Sequence, residues 1–271
     1  GGAVYSFTVT NAVAPVTVDW YSSQTGGTLL TNSATYLIRD PSPGMYTAWA
    51  QTRNVATGCI SSNRTEIRLV VEPLPPVARV DTAVQTDCFQ PQGAQYAFTV
   101  TNVGAPLTVD WYAAAAGGTP LQSGAATYTL TNPSPGTYTA WAQMRNPTTG
   151  CVSSNRTEVR LVIQPLPSVA VIPNAVRTEC YAQGTQYAFT VSNVGPDATV
   201  DWYSAQTGGT LLTNSPSYLI LNPDAGIYTA WAQTRSTQTG CVSSNRTEIR
   251  LTILPLPEVA VKPDAVTQLL V

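Results

Sequence analysis

One pattern recurs three times along the 271-residue chain and leaves few folds open to it. Val-Asp-Trp-Tyr stands at Val18 to Tyr21, Val109 to Tyr112 and Val200 to Tyr203, a spacing of 91 residues each time. Tyr-Thr-Ala-Trp-Ala-Gln begins at Tyr46, Tyr138 and Tyr228. Ser-Ser-Asn-Arg-Thr-Glu begins at Ser61, Ser153 and Ser243, and Pro-Leu-Pro at Pro73, Pro165 and Pro255. A unit of this length is too long for a solenoid repeat and matches one small β-domain.

Within a unit the strands follow from alternation. Tyr96, Phe98 and Val100 alternate with Ala97, Thr99 and Thr101, and Leu107, Val109 and Trp111 continue the same period of two. Gly117-Gly118 supplies a hairpin turn, and Asn132-Pro133-Ser134-Pro135-Gly136 a corner in which proline fixes φ and glycine admits positive φ. Tyr138, Ala140 and Ala142 face one side, with Trp141 on the other. Thr157, Val159, Leu161 and Ile163 oppose Arg156, Glu158 and Arg160 in the last strand. Six or seven short strands without helical periodicity predict an all-β chain of three tandem β-sandwiches. The expected division is 1–72, 73–164 and 165–254, with 255–271 as an extra strand.

Composition narrows the function. The chain has no histidine, a single lysine (Lys262) and 10% charged residues, so the commonest general base and metal ligand are missing. No nucleophile-base pair can be assembled, and neither cofactor nor metal is expected. A formal charge of −2 gives no basic footprint for nucleic acid or anionic membrane. No apolar run approaches a membrane span, and the N-terminus lacks a signal-peptide layout. The chain therefore reads as soluble and already processed, or as an excerpt.

The strand-borne Trp111, Tyr138 just past the Pro/Gly corner, and the Gly-Cys-Val-Ser-Ser-Asn-Arg-Thr run together resemble the immunoglobulin-like tandem repeats of large Bacteroidota surface proteins. The resemblance covers all three copies. It implies a secreted, non-enzymatic adhesin or filament protein at the cell surface, exported by the type IX route. It departs from antibody domains because no cysteine lies in the two core strands.

The five cysteines instead sit at the margins. Cys88 and Cys180 open a repeat, whereas Cys59, Cys151 and Cys241 each follow Thr-Gly in the last hairpin. Pairs within a repeat, Cys88 with Cys151 and Cys180 with Cys241, would each close a loop of about 60 residues, worth about 4 kcal/mol in the chain-entropy treatment. Cys59 is left unpaired.

The repeat is also out of phase with the chain. Aligning Tyr5 with Tyr96 leaves the first copy without a counterpart of Pro73 through Gln90, so it is expected to lack its first strand. Pro255 through Val266, by contrast, matches Pro165 through Val176, a first strand with no domain after it. One reading is donor-strand exchange: Val259, Val261, Ala265, Val266, Leu269 and Leu270 of one copy fill a groove formed by Tyr5, Phe7, Val9, Thr65, Ile67 and Leu69 of the next. Such a contact is heterologous and builds an open head-to-tail homopolymer. The other reading is a stalk segment cut from a longer array.

Trp20, Trp111 and Trp202 read as core. Trp49, Trp141 and Trp231 lie on the outer face near Arg53, Arg145 and Arg235 and near Arg68, Arg160 and Arg250. An indole-guanidinium ladder is expected there. Its uses are shielding an exposed sheet, contacting another subunit, or stacking a glycan. Asp19, Asp110 and Asp201 read as outward carboxylates without a clustered partner. The Asn-Arg-Thr sequons at Asn63, Asn155 and Asn245 read as the turn into the last strand.

Overall fold

The computed structural model describes residues 2–260, and all regular elements among them are β-strands. The first repeat holds β1 (Val4–Thr8), β2 (Val16–Tyr21), β3 (Leu29–Asn32), β4 (Thr35–Arg39), β5 (Gly44–Asn54) and β6 (Thr65–Val71). The second holds β7 (Val84–Cys88), β8 (Gln95–Thr99), β9 (Thr108–Tyr112), β10 (Pro120–Ser123), β11 (Thr127–Thr131), β12 (Gly136–Arg145) and β13 (Thr157–Gln164). The third repeats this series as β14 (Val176–Cys180), β15 (Gln186–Thr190), β16 (Ala198–Tyr203), β17 (Leu211–Asn214), β18 (Ser217–Leu221), β19 (Gly226–Ser236) and β20 (Thr247–Leu254).

Each repeat has a large and a small sheet. The large sheets run β3-β2-β5-β6, β10-β9-β12-β13-β7 and β17-β16-β19-β20-β14, and the small ones pair β1 with β4, β8 with β11 and β15 with β18. The first large sheet thus has four strands where the others have five. The added strands β7 and β14 pair in parallel with the last strand of their repeat, setting Val84 opposite Arg160 and Val176 opposite Arg250. By packing density the chain forms two compact units, Gly1–Ala83 with Phe98–Tyr128 and Thr139–Val159, and Val84–Ala97 with Thr129–Tyr138 and Arg160–Val271.

Period-two alternation puts one set of side chains inside. Trp20, Trp111 and Trp202 are at most 1% exposed, each donating its indole N–H to a backbone carbonyl, of Ser33, Ala125 or Ser215, at 2.9 Å. Each stacks on a tyrosine of the facing sheet, Tyr36, Tyr128 or Tyr218, at 5.2 to 5.5 Å. Burying the indole N–H with a partner avoids the cost of an unsatisfied donor. The Pro/Gly corner is fastened by the following tyrosine: Tyr46, Tyr138 and Tyr228 donate to the carbonyls of Ser42, Ser134 and Asp224. The Gly-Gly hairpins have positive φ at both glycines, and a Cβ at Gly209 would stand 2.9 Å from the Ala205 backbone nitrogen.

The cores differ in completeness. In the last strands Val159, Leu161 and Ile163, and Ile249, Leu251 and Ile253, are at most 2% exposed. Their counterparts Ile67, Leu69 and Val71 are only half-buried. Phe98 and Phe189 are 1% and 0% exposed, whereas Phe7 is half-buried. Leu161→Ala should therefore destabilise its repeat by about 3 kcal/mol, in the range of buried leucine truncations, and Leu69→Ala by clearly less. Urea unfolding of the two variants checks this.

Candidate functional site: the open groove of the first repeat

In the complete repeats, an extended segment ahead of β7 and β14 closes the sandwich. In the second repeat Asn102 donates through Nδ2 to the Val77 carbonyl and accepts from Arg79 N–H at Oδ1, at 2.9 and 2.8 Å. Thr101 N–H donates to the Arg79 carbonyl, and the Thr157 hydroxyl to that of Ala78. The third repeat repeats the clamp: Asn193 with Val169 and Val171, Ser192 N–H with the Val171 carbonyl, Thr247 with the Ala170 carbonyl. Ala78 and Ala170, each 4% exposed, point inward, and Val80 bridges to Val100. At about 1 kcal/mol net per hydrogen bond, this clamp is worth several kcal/mol per repeat.

The first repeat has the clamp without the strand. Thr10, Asn11 and Thr65, the counterparts of Thr101, Asn102 and Thr157, line an open cavity of ≈ 440 Å³ together with Phe7, Val9, Trp20, Ala50 and Ile67. Four of the six expected groove residues, Phe7, Val9, Thr65 and Ile67, are among its walls; Tyr5, 38% exposed, and Leu69 are not. Alternation alone did not single out Thr10 and Asn11, whose counterparts Thr101 and Asn102 act by bonding backbone. Of the expected donor residues, Val261, Ala265, Val266, Leu269 and Leu270 lie outside the described residues. Val259 is 89% exposed. Its counterparts Val77 and Val169 are 41% and 37% exposed while the next alanine is buried. By sequence register Ala260, which follows Val259, matches the buried Ala78 and Ala170.

The outer-face ladder does not form as expected. Among the described residues the guanidinium-ring stacks do not involve Trp49, Trp141 or Trp231, which are half-buried opposite Tyr21, Tyr112 and Tyr203. Arg64, Arg156 and Arg246 lie over those tyrosines instead, 3.3 to 3.4 Å from the ring centroids. Each also donates to a glutamine (Gln51, Gln143 or Gln233) and to two carbonyls of the Gly-Gly hairpin. The Arg of Ser-Ser-Asn-Arg is therefore a brace that ties three recurring motifs together. Arg68, Arg160 and Arg250 remain exposed.

Arg53, Arg145 and Arg235 are drawn away by charge. Asp19, Asp110 and Asp201 are not outward carboxylates: they are 3%, 4% and 1% exposed and pair with Arg53, Arg145 and Arg235 at 2.7, 2.5 and 2.6 Å. A buried carboxylate needs such a partner, and the arginine on the adjacent strand is within reach. The Arg53 hydrogen bond, helped by Asn32, holds the Asp19 carboxyl below the usual carboxylate range against the opposing effect of burial. At Asp110 burial is the largest influence and pushes upward. It is outweighed by the bonds from Arg145, Gly124 N–H and Ser123, so this carboxyl too is lowered.

The cysteine pairing also differs. Cys88 is bonded to Cys241, 153 residues away, and Cys59, Cys151 and Cys180 are free thiols, with Cys59 and Cys180 exposed. The expected pairs within a repeat fail on register. Parallel pairing puts Cys180 beside Leu254 at the far end of β20, while Cys241 precedes Thr247 at its start. Eight residues of strand at about 3.3 Å each separate the two by about 25 Å, against the 7 Å that a disulfide tolerates between Cα atoms. Cys88 lies beside Gln164 in the same way. A bond across 153 residues is worth about 5 kcal/mol in the chain-entropy treatment.

The sequence matches the model of one domain family, described as Ig-like domain CHU_C associated, at residues 1–73, 75–165 and 167–255. The chain belongs to this family. Its three Ig-like repeats are of a Bacteroidota type, and modules of this class are typically structural rather than catalytic. No curated protein matches the chain. Among solved structures, the Ig-like chain is similar to the fibronectin(III)-like modules of Clostridium thermocellum CbhA (14% identity, TM-score 0.37, 68% of this chain and 99% of that one). It is also similar to the FN1-FN3 domains of chicken CNTN1 (9%, 0.33, 93% and 95%). A third likeness is to SGBP-B of Bacteroides ovatus, solved with a mixed-linkage heptasaccharide (15%, 0.20, 93% and 64%). An Ig-like repeat protein with a disulfide is of the extracellular kind. Among the described residues no helix is long and apolar enough to cross a membrane.

The lowered Asp19 and Asp110 carboxyls stabilise the fold above the ordinary carboxylate pKa near 4, and that contribution is lost as pH falls through their lower folded values. Arg145→Met should destabilise the second repeat by about 2 kcal/mol at pH 7, by leaving Asp110 unpaired, and should flatten its loss of stability below pH ~4. Thermal melts of the variant and parent across pH 2 to ~7 check both effects.

Proposed function

We propose that this extracellular Ig-like repeat protein is the subunit of a surface filament, joined head to tail by donor-strand complementation. The observation that carries the reading is the open cavity of the first repeat, walled by the counterparts of the groups that hold Val77–Val80 and Val169–Ile172. A segment with the matching sequence stands in the same chain: Pro255-Leu256-Pro257-Glu258-Val259-Ala260-Val261-Lys262 repeats the spacing of Pro165 through Ile172. In that register Ala260 takes the place of Ala78 and Ala170. By sequence, Lys262 matches Val80 and Ile172.

Asn11, Thr10 and Thr65 would bond the incoming backbone as Asn102, Thr101 and Thr157 bond theirs, so main-chain pairing supplies affinity and the small alanine supplies fit. The donor and acceptor lie in different repeats of the chain. Each added copy therefore leaves a new donor and a new groove, and growth is open-ended.

The 271-residue protein should form concentration-dependent oligomers, and deletion of residues 255–271 should leave monomers. A synthetic peptide of residues 255–271 should bind the deleted form and raise the melting temperature of its first repeat, while the same peptide with Ala260→Trp should not. Light scattering and calorimetry read these outcomes. Monomers at all concentrations in the full chain overturn polymerisation, whatever the peptide does.

A further inference from the structure

The Cys88–Cys241 bond joins the first-strand cysteine of the second repeat to the hairpin cysteine of the third. It is therefore one instance of a rule of register. A first-strand cysteine sits at the C-terminal end of the last strand of its own repeat, beside Gln164 for Cys88 and beside Leu254 for Cys180. The residue it meets there belongs to the hairpin of the following repeat. Cys180 stands where Cys88 stands, at the end of a parallel strand in the same register, yet its thiol is free and exposed. Cys59 stands in the first repeat where Cys241 stands in the third, directly after Ala56-Thr57-Gly58 as Cys241 follows Gln238-Thr239-Gly240, and it too is free and exposed.

We propose that Cys180 of one copy forms a disulfide with Cys59 of the next, locking the head-to-tail contact covalently. The inference rests on the donor-strand reading: if residues 255–262 of one copy complete the first repeat of the next, that repeat follows the third in the register by which the third follows the second. Cys59 is then to Cys180 what Cys241 is to Cys88.

The rule also predicts which thiol stays free. A partner for Cys151 would come from the first strand of the first repeat. In register with Cys88 and Cys180, the donor segment carries Leu270 at that place, so Cys151 has nothing to bond. Each interior subunit would thus own one internal disulfide, share one at each junction, and keep Cys151 as its sole thiol.

The step is an ordinary thiol-disulfide exchange. The thiolate of Cys59 or Cys180 attacks a disulfide oxidant, either a small-molecule disulfide or the active-site disulfide of an oxidoreductase, forming a mixed disulfide. The second thiolate then displaces the oxidant's sulfur. Two protons and two electrons leave the cysteine pair, and the oxidant departs as a dithiol or as two thiols. Both cysteines are exposed and meet that requirement.

The test uses the 271-residue protein, first assembled under reducing conditions and then treated with oxidised glutathione. Light scattering before oxidation reads donor-strand assembly by itself. Non-reducing electrophoresis after oxidation reads the covalent link, and mass spectrometry of the digest identifies the joined peptides. The expected result is a ladder that thiol reductant collapses, a Cys180–Cys59 peptide joining copies of different isotopic label, and loss of the ladder in Cys180→Ser and in Cys59→Ser but not in Cys151→Ser. Assembly without a covalent ladder overturns the disulfide and leaves strand exchange standing. A ladder linked through Cys151, or through like pairs of Cys59 or Cys180, overturns the register rule. Absence of both assembly and ladder overturns both.

Discussion

Each sandwich of this chain closes only when an extended segment lies across the gap between its two sheets, and everything distinctive about the molecule follows from where that segment comes from. In the second and third repeats it precedes the domain and is clamped by an asparagine, a threonine on the last strand and a backbone N–H. With the clamp occupied, the last strand is buried to the limit, as Leu161 and Leu251 show at 0% exposure. With it empty, Leu69 and Phe7 stay half-buried and a cavity of ≈ 440 Å³ opens beside Trp20. A groove that is polar along one wall, where backbone must be bonded, and apolar on its floor has the character of a strand-binding site.

The recurring motifs are accounted for by the fold itself. Val-Asp-Trp-Tyr supplies a buried carboxylate for Arg53, Arg145 or Arg235, a core indole, and a ring for Arg64, Arg156 or Arg246 to cover. The Gln of Tyr-Thr-Ala-Trp-Ala-Gln links that arginine to the carbonyl of the first serine in Ser-Ser-Asn-Arg. Strings that repeat so faithfully invite a functional reading. Here the Asp, Trp and Tyr of the first string, the Gln of the second and the Arg of the third each have a structural partner.

Fold class and strand order were legible in the sequence because alternation and turn chemistry are local. Trp111 on one face and Trp141 on the other follow from a period of two. Buried ion pairs were not legible, since Asp110 and Arg145 are 35 residues apart and only strand pairing makes them neighbours. The cysteines were misassigned for a related reason. Counting within a repeat treats Cys180 and Cys241 as close, whereas the parallel register of β14 on β20 sends Cys180 to the opposite end of the domain. Of the expected groove residues, Phe7, Val9, Thr65 and Ile67 line the cavity, while Thr10 and Asn11 also line it and were not read, because their counterparts Thr101 and Asn102 act by bonding a backbone that alternation does not show.

The most direct measurement is residue-specific photo-crosslinking from position 259, whose counterparts Val77 and Val169 lie at the exposed rim of the clamp. A photoreactive side chain replacing Val259, in a mixture of heavy- and light-isotope copies, should attach to peptides containing Thr10 or Asn11. The attached peptides should carry the other isotope label, because donor and groove come from different molecules. Crosslinks confined to one isotope label, or directed away from the walls of the first repeat's cavity, would contradict the account.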